Sequence, residues 1–142
     1  MRFMIIRKAD QQTEAGVLPT EEILTVMGNY MQQMNDAGIL LGGEGLRPSA
    51  QGARVKFAKG KPKVIDGPFA EAKELIGGWC LIRVGSREEA IEWAKRWPAL
   101  GTEEDVELEI RQLYEADDFG EEFTPELRAQ EDRMRADAEA RK

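Results

Sequence analysis

The stretch richest in reactive side chains is Asp66-Gly67-Pro68-Phe69-Ala70-Glu71-Ala72-Lys73-Glu74. It reads as a turn leaving a strand. Pro68 fixes its own φ and biases Gly67 away from helix, while Asp66 can accept backbone N–H bonds. Glu71, Lys73 and Glu74 then crowd three charges beside that rigid turn. As chemistry, Asp66 would be a general base, with Lys73 or Arg47 stabilising negative charge. A purely structural turn with solvated charges is the competing reading. A second stretch, Gly42-Gly43-Glu44-Gly45, is followed by Leu46-Arg47-Pro48. A phosphate cradle needs a helix N-terminus after its last glycine. Here a proline and a strand follow, and Glu44 would repel phosphate. The run is expected to open a loop at the mouth of a cleft, with Glu44 and Arg47 facing a ligand.

Counts narrow the chemistry further. The 142 residues include no histidine and one cysteine, Cys80. That excludes Ser-His-Asp and Cys-His nucleophile systems, imidazole proton shuttles and histidine-ligated metals. Four-cysteine zinc sites and an internal disulfide framework are excluded too. No metal and no cofactor is expected. Cys80 sits in an apolar run with Trp79, Leu81 and Ile82, the setting of a buried, inert thiol. Net charge is −7, which argues against nucleic-acid binding. Residues 1–114 carry 15 basic and 17 acidic side chains, whereas residues 115–142 carry 5 and 10. Arg54, Lys56, Lys59, Lys61 and Lys63 form a basic run with no acid among them. With Phe57 as its sole aromatic, alternating inward, that run is expected to be a solvated edge that discourages strand pairing. No apolar stretch approaches the roughly 20 residues of a membrane span. The apolar N-terminal stretch suits a strand better than a signal peptide, so a cytoplasmic location is expected.

The elements that must position these residues follow from periodicity. Arg2 to Lys8 is a strand apolar on both faces. Asp10 to Pro19 is a polar connection. Thr20 caps a helix whose apolar residues Ile23, Val26, Met27, Tyr30, Met31 and Met34 recur at helical spacing, with Gly38 as its stop. Ile39-Leu40-Leu41 is a short buried strand. Ala53 to Ala58 and Pro62 to Ile65 form a hairpin around Lys59-Gly60-Lys61. Leu75 to Val84 is a strand interrupted by Gly77-Gly78. Ser86-Arg87-Glu88-Glu89 is a capping box for a helix that ends before Pro98. Val106 to Leu113 alternates as a last, half-polar strand. This order predicts an α+β, ferredoxin-like antiparallel sheet with helices on one face. Two strands apolar on both sides predict a homodimer packed sheet to sheet, or else a tail folded back across that face. Residues 115–142 are expected to be an acidic linker and a polar C-terminal helix starting at Thr124-Pro125.

The Asp66-Gly67-Pro68-Phe69 motif with Ala70-Glu71-Ala72-Lys73-Glu74 resembles the signature of the DGPF proteins within the YCII-related family. Gly42-Gly43 with Leu46-Arg47-Pro48, Ile76-Gly77-Gly78-Trp79, Glu89-Ala90-Ile91-Glu92-Trp93-Ala94 and Glu107-Leu108-Glu109-Ile110-Arg111 are similar to further family segments. The resemblance covers residues 1–114. It implies a dimeric α+β barrel, and for the wider family a His-Asp pair in a cleft at the dimer. This chain has no histidine to complete such a pair. It also implies a gene context beside extracytoplasmic-function sigma factors. The expectation is therefore a cleft near the Asp66 turn that binds a small polar or anionic molecule. Asp66 is its catalytic candidate. Glu44, Arg47, Lys73, Glu74 and Arg111 are its ligand-binding candidates, with Trp79 as a wall. The alternative is a non-catalytic regulatory protein partnered by a sigma factor.

Overall fold

The structure is a computed structural model that describes residues 1–99 and 105–142. Residues 1–112 form one compact unit and residues 113–142 a second. The first contains β1 (Arg2–Lys8), α1 (Gln11–Glu14), α2 (Glu21–Asp36), β2 (Leu40–Gly45), β3 (Ala53–Ala58), β4 (Lys61–Asp66), β5 (Ile76–Arg83), α3 (Arg87–Lys95) and β6 (Leu108–Gln112). The main sheet has the order β2-β5-β1-β6 with every neighbouring pair antiparallel. The architecture is α+β, as the order of periodic segments predicts.

Register fixes the two faces. Ile5 lies opposite both Cys80 and Ile110, and Phe3 opposite Ile82. Phe3, Ile5, Cys80 and Ile82 join Tyr30 and Met34 of α2 and Ala90 and Ala94 of α3 in one buried cluster, against which the half-buried Ile110 packs. Both helices thus cover the same face. On the other face Ile6 is buried, Met4, Trp79 and Leu81 are half-buried, and Arg111 is exposed. The helix starts are set by side-chain caps. Thr20 Oγ1 accepts from Ile23 N–H and Ser86 Oγ from Glu89 N–H. Tyr30 hydroxyl ties α2 to α3 by donating to the Trp93 carbonyl at 2.9 Å. Burial of that phenol pushes its pKa up to about 12.

Three sequence expectations are corrected. Gly42 to Gly45 do not open a loop but continue β2. A Cβ at Gly43 would stand 2.9 Å from Met31 Cε and 3.0 Å from Cys80 Cβ, so the missing side chain is what lets α2 lie close over the sheet. Gly77-Gly78 do not break β5. Arg7 pairs with Gly78 and Lys8 with Ile76, leaving Gly77 as a one-residue bulge. Phe57 does not point inward. β3 and β4 form a separate two-stranded sheet, and Phe57 is 73% exposed. Alternation there is a property of the hairpin alone, with no layer behind it.

The second unit holds a run of tight turns over Ala116–Glu122 and then α4 (Pro125–Ala140), capped by Thr124. The rings of Tyr114, Phe119 and Phe123 meet in sequence at tilted angles, and Arg128 reaches Asp117 at 2.8 Å. No residue of α4 is buried. Among the described residues no helix is long and apolar enough to cross a membrane.

Candidate functional site

Where β1 ends, the chain turns into α1 through a reciprocal cap. Asp10 Oδ1 accepts from Thr13 N–H at 2.8 Å, and Asp10 N–H donates to Thr13 Oγ1 at 2.9 Å. Arg7 Nη2 donates to Asp10 Oδ2 at 2.7 Å. The two side chains are only 22% and 20% exposed. Burial alone would raise the Asp10 carboxyl. The bonds from Thr13 and the Arg7 charge outweigh it, and the carboxyl is held below its ordinary value. The Gly77 bulge makes room for this pair, since a Cβ there would stand 2.9 Å from Arg7 Nη1.

Arg7 and Asp10 line a cleft of about 850 Å³ between the helix-covered face of the sheet and the 10–19 loop. Its floor is almost bare of side chains, because β2 and β5 contribute Gly43, Gly45, Gly77 and Gly78. Met27 and Met31 of α2 form one wall. Val17, Leu18, Leu24 and Leu46 are exposed apolar residues lining it. Cys80 lies in the floor, buried, its thiol pushed up to about 11 by that burial. It is a packing group at neutral pH, not a thiolate.

The rim residues Arg47, Pro48 and Gln51 lie on and just before a single helical turn, Ser49–Gln51, which Pro48 precedes as its cap position. The Asp66 turn clamps that segment. A Cβ on Gly67 would fall 1.7 Å from the Ser49 carbonyl oxygen, so only glycine allows the approach. Gly67 N–H donates to the Gly52 carbonyl, and Phe69 N–H donates to Ser49 Oγ at 3.1 Å. The Ser49 hydroxyl in turn donates to Glu14 of α1, and Ser49 N–H does so at 3.0 Å. The Arg54 guanidinium stacks on the Phe69 ring at 3.9 Å. The Gly67–Pro68 peptide is cis.

The structure divides the sequence candidates: Glu44, Arg47 and Trp79 line the larger cleft, Arg47 and Glu74 a smaller one of about 320 Å³ behind the clamp, and Asp66, Lys73 and Arg111 neither. Asp66 and Lys73 are exposed. Glu74 borders the smaller cleft. Arg47 borders both, with Nη1 on Gln51 Oε1 at 3.1 Å. Glu44 and Trp79 are cross-strand partners at the edge of the larger cleft. Arg111 lies elsewhere, exposed on β6 and 3.5 Å from Glu109. The Arg7–Asp10 pair escaped sequence reasoning. Only the Asp10 cap carries a signal, an Asp with Thr three residues on, inside the segment expected to be a plain connection. No group of carboxylates and thiols among the described residues could hold a metal ion.

Comparison with known proteins identifies its relatives. An uncharacterised protein of Rhizobium meliloti is 32% identical over 75 residues, which take in 53% of this chain and 60% of that protein's length. Among solved structures, the 5-chloro-2-hydroxyhydroquinone dehydrochlorinase of Burkholderia phenoliruptrix, in complex with 2,5-dihydroxybenzoquinone, is similar with a TM-score of 0.44 and 14% identity. That match covers 81% of this chain and 96% of the other. The model of the YCII-related domain matches residues 1–115, and the chain belongs to that family.

Proposed function

We propose that the protein binds a small organic molecule with an apolar body and a polar head in the glycine-floored cleft. One observation carries the reading: a largely buried Arg7–Asp10 ion pair set against a wall of methionine and leucine. A cleft that is mostly apolar with a few convergent polar groups is the usual form of a ligand site. Arg7 spends one donor on Asp10, and a guanidinium carries five. It can thus serve an acceptor on the ligand while Asp10 holds its plane. Arg47 at the rim adds a second cation. The acid–base chemistry available is proton acceptance by Asp10, because a carboxyl held ionised has no proton to give at neutral pH. Asp66 contributes through the backbone of its turn, which fixes the rim.

A thermal-shift screen of small carboxylic acids, phenols and amides against wild type, Arg7→Leu and Asp66→Asn tests this. A ligand at a hundred times its Kd stabilises by about 2.7 kcal/mol, a shift of several degrees. Wild type and Asp66→Asn should show that shift, and Arg7→Leu should lose it. A shift that survives Arg7→Leu places the site elsewhere. Under the rival reading, a regulatory protein partnered by a sigma factor, no small molecule shifts any of the three.

A further inference from the structure

The smaller cleft behind the clamp is built differently from the larger one. Two guanidinium groups, Arg47 and Arg54, and two carboxylates, Glu14 and Glu74, line it. With them lies an apolar patch, the half-buried Phe69 ring and the side chains of Leu46 and Ile76, which are 51% and 42% exposed. The charges of opposite sign do not neutralise each other. Arg47 donates to Gln51, Arg54 stacks on Phe69, and Glu14 accepts from the Ser49 N–H and hydroxyl. Among the described residues no ion pair joins either arginine to either glutamate.

We propose that this cleft is a second binding site, for a free α-amino acid with an apolar side chain. Charge sets the class of ligand. A simple anion would face both glutamates and a simple cation both arginines, whereas a zwitterion finds a partner for each end. Arg54 takes the carboxylate. The Phe69 ring holds its guanidinium by one face, and the N–H donors lie around the edge in the fork that suits a bidentate contact. Glu74 receives the ammonium. Glu14, fixed in place by Ser49, offers the lone pairs its oxygens have left. The ligand's side chain rests on Phe69, Leu46 and Ile76. Size agrees, because about 320 Å³ is at the lower end of ligand pockets and holds one residue-sized molecule rather than a nucleotide or a peptide. Leu46 and Arg47 line both clefts, but Arg54, Glu14 and Glu74 line only the smaller. The three groups that select a zwitterion are thus separate from Arg7 and Asp10.

Isothermal titration calorimetry on the full chain tests the proposal with three probes. They are L-leucine, 4-methylpentanoate, which lacks the ammonium, and 3-methylbutylamine, which lacks the carboxylate. L-leucine should bind about 10-fold or more tightly than either analogue, the scale of one hydrogen bond to a charged group. Glu74→Gln should weaken L-leucine by a similar factor and leave 4-methylpentanoate unchanged. Arg54→Gln should weaken both. Glu74 and Arg54 are exposed, so both variants should keep the wild-type circular dichroism and melting. The analogue series on wild type needs no variant and decides the question even if Arg54→Gln unfolds. Arg7→Leu should leave the L-leucine isotherm as it is. No binding of L-leucine at millimolar concentration would overturn the proposal. So would an affinity for either analogue equal to that for L-leucine, L-leucine binding indifferent to either substitution, or L-leucine binding abolished by Arg7→Leu.

Discussion

Two turns of this protein begin with an aspartate at the end of a strand, and they have divided the labour. The Asp66 turn is the conspicuous one, with Gly67, Pro68 and Phe69 in succession. Its side-chain carboxylate is exposed and lies outside both clefts, and its backbone does the work. The Asp10 turn has no such signature. Its carboxylate is largely buried, capped by Thr13, paired with Arg7 and set in the larger cleft. A distinctive motif marks wherever the chain has least freedom. In this fold that constraint is steric, a glycine pressed on a carbonyl, and the carboxylate that lines the larger cleft belongs to the other turn. Ser49 joins the two. Its hydroxyl accepts from Phe69 N–H on one side and donates to Glu14, on the helix that Asp10 caps, on the other.

The sharpest way to break this comparison is at the backbone of the conspicuous turn. In Gly67→Val the new Cβ would fall 1.7 Å from the Ser49 oxygen and 2.6 Å from its carbon, both backbone atoms that cannot swing aside. The variant should lose at least about 3 kcal/mol, which for a chain of this size lowers the melting temperature by about 10 °C. Glu71→Ala, four residues on, should move it by less than about 2 °C. Glu71 is exposed, and its left-handed φ of 63° is equally awkward for alanine. Equal melting temperatures for the two variants would mean that the Gly67 approach is not a real constraint. The bridge between the turns comes next. Ser49→Ala strips Phe69 N–H of its acceptor and Glu14 of one donor, both partly buried. A loss of about 1–2 kcal/mol is expected in denaturant titrations. An unchanged midpoint would show that the two turns are independent.

Much of the fold was legible because its signals are local and periodic. The Thr20 and Ser86 caps, the apolar stripe from Ile23 to Met34 and the alternation of β1 each depend on neighbours within a few residues. What was not legible depends on the third dimension. Gly43 looked like loop composition, but its lack of a side chain answers to Met31 and Cys80, twelve and thirty-seven positions away. Phe57 alternates correctly within its strand, yet alternation cannot say whether a second layer exists to receive the inward face. Arg7 and Asp10 are three apart in sequence across a strand end, a spacing with no periodic meaning outside a helix. The cleft arises from absent atoms in the floor, and absence has no motif.

A smaller effect sharpens the Asp10 side. The folded state holds this carboxyl below its ordinary value, so it favours the ionised form. The resulting stability is present above the unfolded-state pKa and is lost as the pH falls from there through the lowered folded one. Asp10→Asn keeps a side chain able to cap α1 but removes the charge. At neutral pH it should cost about 1 kcal/mol, the scale of a partly exposed charge-assisted bond. That gap should persist down to about pH 4 and close only below it. A gap that closes between pH 5 and 7 would assign the charge to a different group.

The smallest expected effect is the most telling one. Asp66 is exposed, and its turn is held by main-chain groups, Gly67 N–H to Gly52 and Phe69 N–H to Ser49. None of those bonds involves the Asp66 carboxylate. Asn in its place retains the turn-forming side chain and the local backbone preference. Asp66→Asn should therefore shift stability by less than about 0.5 kcal/mol, as surface substitutions do. It should also leave any ligand-induced thermal shift at its wild-type size. If the substitution instead abolishes that shift while stability is unchanged, the Asp66 carboxylate touches the ligand. The conspicuous turn would then be chemical after all, and the cleft around Arg7 and Asp10 would not be the site.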